Sequence, residues 1–210
     1  DTNTPQKLYW KIISKVVNNC RAPKIPPLLI DNEFILNCKE KARHFNKFFS
    51  DQCKLVQNNS TIPFFHYRTD KRISNIAFSS ENILSLIRCI NPKKANGPDN
   101  ISGHMLRIAD ESIVLPLKLI FNNIMETSKY PALWKTANVT PVYKKKDKQL
   151  INNYRPISLI PICGKLFEKI VFDNVYSYLN VNNLITKNQS GFRPGDSATN
   201  QLLFLVNEIH

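Results

Sequence analysis

An α+β fold, helix-rich with one antiparallel hairpin, follows from three features of the sequence. Apolar residues recur at helical spacing in stretch after stretch. Only two short runs, Thr136–Tyr143 and Tyr154–Ile160, read as strands. Those two bracket a single polar loop, Lys144–Asn153, as a hairpin would. With 210 residues, 42% of them hydrophobic, the chain can bury a core and suits one domain, or one domain with an arm.

Taken in order, residues 4–19 place Leu8, Ile12, Ile13, Val16 and Val17 on one side of a short amphipathic helix. It ends before the proline-containing stretch Ala22–Pro27. A second helix runs from Lys39 to about Cys53, with Ala42, Phe45, Phe48 and Phe49 as its stripe. Residues 54–76 lose periodicity and read as a linker or surface-hugging segment. Ser79 or Ser80 caps a helix reaching Ile90, whose broad face is Ile83, Leu84, Leu86, Ile87 and Ile90. Asn91-Pro92 stops it. After the Gly97-Pro98-Asp99 turn come a short helix, Met105–Ala109, and a longer one, Ile113–Thr127. Beyond the hairpin, a helix from Cys163 to Leu179 packs Leu166, Phe167, Ile170, Val171 and Tyr178 inward. Gln189–Ser197 is a turn region, and Ala198–His210 is helical in pattern.

The charge points outward, to a partner. Lys and Arg number 29 against 16 Asp and Glu, a net charge of +13, and both halves of the chain are basic. A polyanion is the expected partner, nucleic acid first and a membrane surface second; the alternative is a basic surface that merely keeps the protein soluble. No stretch has the roughly 18–20 apolar residues of a membrane helix; Ile113–Ile124 is interrupted by Lys118 and Asn122–Asn123. The polar start, Asp1–Tyr9, is unlike a signal peptide, so an intracellular protein is expected, in nucleus or cytoplasm. The five cysteines (Cys20, Cys38, Cys53, Cys89, Cys163) are odd in number and widely spaced. That indicates neither a disulfide framework nor a zinc site, and reduced, mostly buried thiols are expected.

Catalytic constellations are missing. The sequence holds no G-x-S-x-G, H-E-x-x-H or phosphate-loop lysine motif, and His44, His66, His104 and His210 are scattered. A two-metal phosphoryl-transfer site needs carboxylates converging on two cations about 4 Å apart. The tightest acidic pairs here, Asp31/Glu33 and Asp110/Glu111, read as ordinary surface charges, so no catalytic residue and no metal ligand is assigned in this chain. The hairpin is different. Lys144, Lys145, Lys146 and Lys148 cluster where its first strand ends, and Arg155 opens the second. A hairpin brings Lys144 and Arg155 together, and a point-charge lysine with a forked guanidinium suits a polyphosphate. The alternative is a solvated lysine loop protecting a sheet edge.

Five blocks in one order carry a resemblance. They are N-P-K-K-A-N-G-P-D (Asn91–Asp99), P-x-x-W-K-x-A-x-V-x-P-V-Y-K-K (Pro131–Lys145), Y-R-P-I-S-L (Tyr154–Leu159), G-K-L-F-E-K (Gly164–Lys169) and Q-S-G-F-R-P-G-D-S (Gln189–Ser197). Together they resemble the fingers half of a non-LTR retrotransposon reverse transcriptase of the jockey type. The helix carrying Phe45-Asn46-Lys47-Phe48-Phe49 is similar to the segment such proteins carry between endonuclease and polymerase.

The resemblance implies part of an RNA-directed DNA polymerase, a nucleotidyltransferase of a transposable element, with the right-hand fold. Residues 1–76 would be a helical connector, and 77–210 the fingers with the start of the palm. The triphosphate of the incoming nucleotide would meet Lys144 and Arg155. Lys93, Lys94, Asp99, Gln189, Phe192 and Arg193 would line the template path or the nucleotide pocket. Asn100 stands where the family often has glycine, and Asp196 replaces a residue often basic or neutral. Partners would be an RNA template, a DNA primer, deoxynucleoside triphosphates, and the palm and thumb of the same polypeptide, with no membrane. Mg2+ would serve the complete enzyme through ligands beyond His210. The palm's catalytic strands and the thumb are missing from the 210 residues, which therefore read as an incomplete polymerase, inactive alone. The alternatives are a catalytically inactive nucleic-acid-binding remnant of such an element, or a folded remnant without a partner.

Overall fold

The computed structural model describes residues 25–54, 69–73, 76–186 and 189–209. The helix expected over 4–19, and most of the linker expected over 54–76, lie outside the described residues. The chain divides into two compact units: Asp1–Asn58 with Val139–Ser158, and Asn59–Asn138 with Leu159–His210.

In the first unit, β1 (Leu28–Ile30) and β2 (Glu33–Ile35) pair antiparallel, with Leu28 opposite Ile35. Asp31 and Asn32 close the turn at φ 50° and 66°. Both central residues of such a two-residue loop need left-handed backbone, which Asp and Asn tolerate. This hairpin corrects the expectation of one. Three-residue strands are too short for alternation to register, although two apolar triplets around Asp-Asn did hold the signal. Helix α1 (Cys38–Gln52) starts on Asn37, whose Oδ1 accepts from the N–H of Lys39 at 2.8 Å and Glu40 at 3.3 Å. It buries Lys41, Phe45 and Phe49, four positions apart and one to each successive turn. Ala42, expected in that stripe, is exposed. Lys41 takes its place because its carbon stem packs inward while Nζ donates to the Ile25 carbonyl at 3.0 Å. Leu28, Phe45, Phe49 and Tyr154 form the core, with the Phe45 and Tyr154 rings edge to face at 5.0 Å. The expected hairpin is present as β3 (Asn138–Tyr143) and β4 (Tyr154–Leu159).

The second unit is helical: α2 (Ser80–Cys89), α3 (Gly103–Ala109), α4 (Val114–Thr127), α5 (Ile162–Val181) and α6 (Ala198–Ile209). Of the two candidate caps for α2, Ser79 serves, its Oγ accepting from the Asn82 N–H at 3.1 Å. The α2 face closes on Phe78, Leu117, Phe121, Phe167 and Ile170. Phe121 is fully buried and sits 5.4 Å from the rings of both Phe78 and Phe167. Truncating such an aromatic costs about 3–5 kcal/mol. Asp110 and Glu111 are more than loose surface charges. Arg88 of α2 grips both, at 2.6 and 3.3 Å, and holds the Asp110 carboxyl below its usual range. On α5, Leu166, Phe167 and Ile170 are buried, while Val171 and Tyr178 are half-buried. No residue of α6 is buried; Leu202, Leu203, Phe204, Leu205, Val206 and Ile209 all face solvent. Among the described cysteines only Cys163 is buried, and Cys38, Cys53 and Cys89 are exposed, against the expectation of mostly buried thiols. These three lie near helix ends, where less of the core reaches them. Among the described residues no helix is long and apolar enough to cross a membrane.

Candidate functional site

The hairpin β3–β4 is closed by the Lys144 N–H donating to the Asn153 carbonyl at 2.9 Å. That bond sets the register, so Tyr143 faces Tyr154 across the strands, their rings 5.8 Å apart. Tyr154 points into the Phe45 core. Side chains alternate faces along a strand, so Lys144 and Arg155, each next to one of these tyrosines, share the opposite face. Both are exposed. The same register sets Pro141 opposite Pro156, where an N–H would point away from the partner strand, so neither proline costs a ladder bond. Among the described residues, neither Lys144, Lys145 and Lys146 nor Arg155 makes an ion pair, while Lys148 lies over the Tyr143 ring at 5.4 Å. Four lysines and Arg155 thus crowd one end of this hairpin, with Asp147 the one carboxylate in the loop among them.

The loop between the strands is polar, yet five consecutive carbonyls in it, Lys146 to Leu150, are engaged. The Lys146 carbonyl accepts from the Tyr143 hydroxyl, the Asp147 carbonyl from Asn153 Nδ2 at 2.8 Å, and the Lys148 carbonyl from the Tyr154 hydroxyl at 2.7 Å. The Gln149 carbonyl accepts from Leu29 N–H at 2.9 Å, and the Leu150 carbonyl from Asn153 N–H at 3.1 Å. Lys146 turns the chain at φ 73°. Burial, then the neighbouring Tyr143 and Asp147, push the Tyr154 hydroxyl above its ordinary range, which keeps it protonated and donating. Sequence reading located the lysines and Arg155 but missed Tyr143, Asn153 and Tyr154. A tyrosine at each end of a lysine-rich loop was the available signal.

The other candidates lie in the second unit, in two separate loops. Lys93 and Lys94 are exposed in the turn after α2, where Asn91 Oδ1 accepts from the Lys93 N–H at 2.9 Å. Gly97 is buried against the chain entering α5. A Cβ there would lie 2.5 Å from Pro161 N and 2.7 Å from the Ile160 carbonyl carbon. Asn100 adopts φ 59°, a left-handed backbone that Asn tolerates. Asp99 does not cap α3. Ser102 does, accepting from the Met105 N–H at 3.2 Å, while Asp99 Oδ1 accepts from the Ile101 N–H at 3.3 Å. The Asp99 carboxylate stands near Cys163 in the first turn of α5. Burial first, and that charge second, push the Cys163 thiol up to about 11.

Gln189, Phe192 and Arg193 lie in the loop before α6. Phe192 is fully exposed at φ 62°, and with Gln189 it borders a groove of about 590 Å³ backed by Phe172, Tyr176 and Leu179. Arg193 Nη1 reaches the Thr186 carbonyl at 3.5 Å. Asp196 is occupied locally: it accepts from the Ser197 N–H at 2.8 Å, and its bond to Ser190 holds its carboxyl below the usual range. No hydrogen bond among the described residues joins this loop to the turn carrying Lys93, Lys94 and Asp99. Nor do any three His, Cys, Asp or Glu side chains among the described residues gather as a metal-ligand set. The described residues do not fit a magnesium centre.

Sequence comparison relates the chain to a reverse-transcriptase-related region: it is homologous to RNA-directed DNA polymerases of non-LTR retrotransposons. It is 27% identical over 175 residues to the RNA-directed DNA polymerase from mobile element jockey of Drosophila melanogaster, covering 83% of this chain and 19% of that protein. Over 128 residues it is 32% identical to the jockey polymerase of Drosophila funebris, 60% of this chain and 14% of the relative. Over 130 residues it is 30% identical to the probable RNA-directed DNA polymerase from transposon BS of Drosophila melanogaster, 61% of this chain and 14% of the relative. The chain thus spans less than a fifth of the length of these relatives. No protein-family model matches it.

Proposed function

We propose that this chain supplies the nucleotide-gripping part of an RNA-directed DNA polymerase, with Lys144 and Arg155 on the triphosphate of the incoming deoxynucleotide. One observation carries the reading: the two cations share an exposed face of a hairpin whose loop is held by its own side chains, and among the described residues neither makes an ion pair. A guanidinium binds phosphate oxygens in a bidentate fork, and a lysine adds a mobile point charge. In polymerisation the primer 3′-hydroxyl attacks the α-phosphate and pyrophosphate leaves. Cations on the β- and γ-phosphates stabilise the charge that grows on the leaving group. The homology to named polymerases supports the substrate class.

Template contact is proposed for Lys93 and Lys94 and for the Gln189, Phe192 and Arg193 loop. An exposed aromatic next to a groove offers a stacking surface for an unpaired base. Asp99, pressed into the turn beside Cys163, is assigned a structural role in the same block. The magnesium expected of such an enzyme has no ligand set among the described residues, and this chain is given no step through it.

The test is steady-state kinetics on the polypeptide that carries this chain together with its remaining polymerase segments. Arg155→Ala should raise the nucleotide KM by roughly one to two orders of magnitude, as losing a charge-assisted bond of about 1.5–3 kcal/mol requires. Primer–template affinity should stay constant. An unchanged nucleotide KM and kcat would overturn the assignment.

A further inference from the structure

The lysine-rich loop is exposed and carries three cations in a row that make no ion pair among the described residues, conditions under which a loop ordinarily fluctuates. Its lysine ammonium groups would then find the nearest carbonyl oxygens, since ammonium is donor-only and backbone carbonyls are the commonest local acceptors. Here five consecutive carbonyls of the loop already hold partners. The carbonyls of Lys146, Asp147 and Lys148 are bound by side chains projecting from the hairpin's own ends, Tyr143, Asn153 and Tyr154. The next two, of Gln149 and Leu150, are bound by backbone N–H groups. Tyr154 is itself fixed by the Phe45 ring at 5.0 Å, so the clamp is anchored in the core of its unit.

We infer that Tyr143, Asn153 and Tyr154 are positioning residues, a carbonyl clamp that holds the Lys144–Lys148 loop as a preorganised polyphosphate cradle. The inference rests on the nucleotide-gripping reading above and extends it from the two cations to what holds them. The clamp pins the carbonyls of Lys146, Asp147 and Lys148 and settles the loop's ordering entropy before the anion arrives. The cost of closing the loop is then met by folding, and binding reports only the charge contacts.

The experiment uses the 210-residue chain, with inorganic tripolyphosphate and dTTP as probes in isothermal titration. Lys144→Gln removes a charge. Tyr143→Phe and Tyr154→Phe, singly and together, remove clamp bonds while leaving every charge and both rings. The clamp variants should bind tripolyphosphate roughly 3- to 10-fold more weakly each, the loss of about one hydrogen bond's worth of order, with the salt sensitivity of wild type. Lys144→Gln should reduce that salt sensitivity. Exposed Tyr143 keeps the test open should the Tyr154 variant fold poorly. Clamp variants that bind as tightly as wild type, even with a lowered melting temperature, would overturn the positioning role alone. Wild-type chain that binds neither probe would overturn the nucleotide-gripping reading and this inference with it.

Discussion

Replacing Gly97 by alanine decides whether the Asn91–Asp99 block is chiefly a surface that meets template or chiefly a joint in the fold. A Cβ at this position would lie 2.5 Å from Pro161 N, 2.7 Å from the Ile160 carbonyl carbon and 2.8 Å from Pro161 Cα. Ordinary carbon contacts are about 3.5–4.0 Å, so the turn and the start of α5 must separate by about 1 Å. All three atoms are backbone, so no side chain can swing aside. Overpacking of this kind costs about 1–3 kcal/mol, and a backbone-only clash belongs at the upper end. Against that, alanine's smaller unfolded-state entropy returns about 0.4–1 kcal/mol. The expected net loss is about 2 kcal/mol, or roughly 4–8 °C in melting temperature for a chain of this size. Gly191→Ala is the internal control: a Cβ there meets nothing within 4 Å, and its stability should change by no more than about 0.5 kcal/mol. Urea melts of the two variants, read at equal m-values, give the comparison. Equal stability of Gly97→Ala and wild type would refute the packing argument, and the block would then stand as free surface.

Other consequences follow from single residues. In the unfolded chain a thiol ionises near 9, and in the fold Cys163 is held up to about 11 by burial and by Asp99. Below pH 9 both states keep the proton, and between pH 9 and 11 only the unfolded state loses it, so stability falls as pH rises, by about 1.4 kcal/mol per pH unit. Chemical melts at pH 8 and pH 11 should show Cys163→Ala losing about 2–3 kcal/mol less than wild type over that interval; parallel losses would contradict it. Asp99→Asn should make the Cys163 thiol ionise at lower pH, seen as alkylation that accelerates at less alkaline pH. Asn37→Ala removes two capping bonds from α1 and should cost about 1 kcal/mol in a urea melt.

Much of the helical unit was legible because its elements are long and strongly periodic. Ile83 and Ile87 lie one turn apart on α2, and Leu166, Phe167 and Ile170 on α5, and burial follows that spacing with little competition. Elements shaped by contacts were harder. Leu28–Ile30 and Glu33–Ile35 are too short to show alternation and exist because Leu28 is sealed under Phe45 and Phe49. Lys41 displaced Ala42 from the α1 stripe through a bond to a carbonyl sixteen residues away, which no periodicity reports. The site divided in the same way. Lys144 and Arg155 were legible as charges near a strand end, because a hairpin needs little more than a polar loop between two β-like runs. The carbonyl clamp was not legible, since it depends on register, on a left-handed Lys146 and on where two hydroxyls point. In the Asn91–Asp99 block, a run that looked like a contact surface holds Gly97 for close packing and Asp99 for an Asx turn.

The measurement that bears most directly on the central claim is an amide chemical-shift map of the 210-residue chain titrated with dTTP. Lys144 and Arg155 gripping the triphosphate predicts saturable shifts centred on residues 142–148 and 153–157, abolished when both are replaced by glutamine. Shifts centred on residues 91–99 or 189–193, or shifts in the hairpin that survive the double replacement, would contradict it.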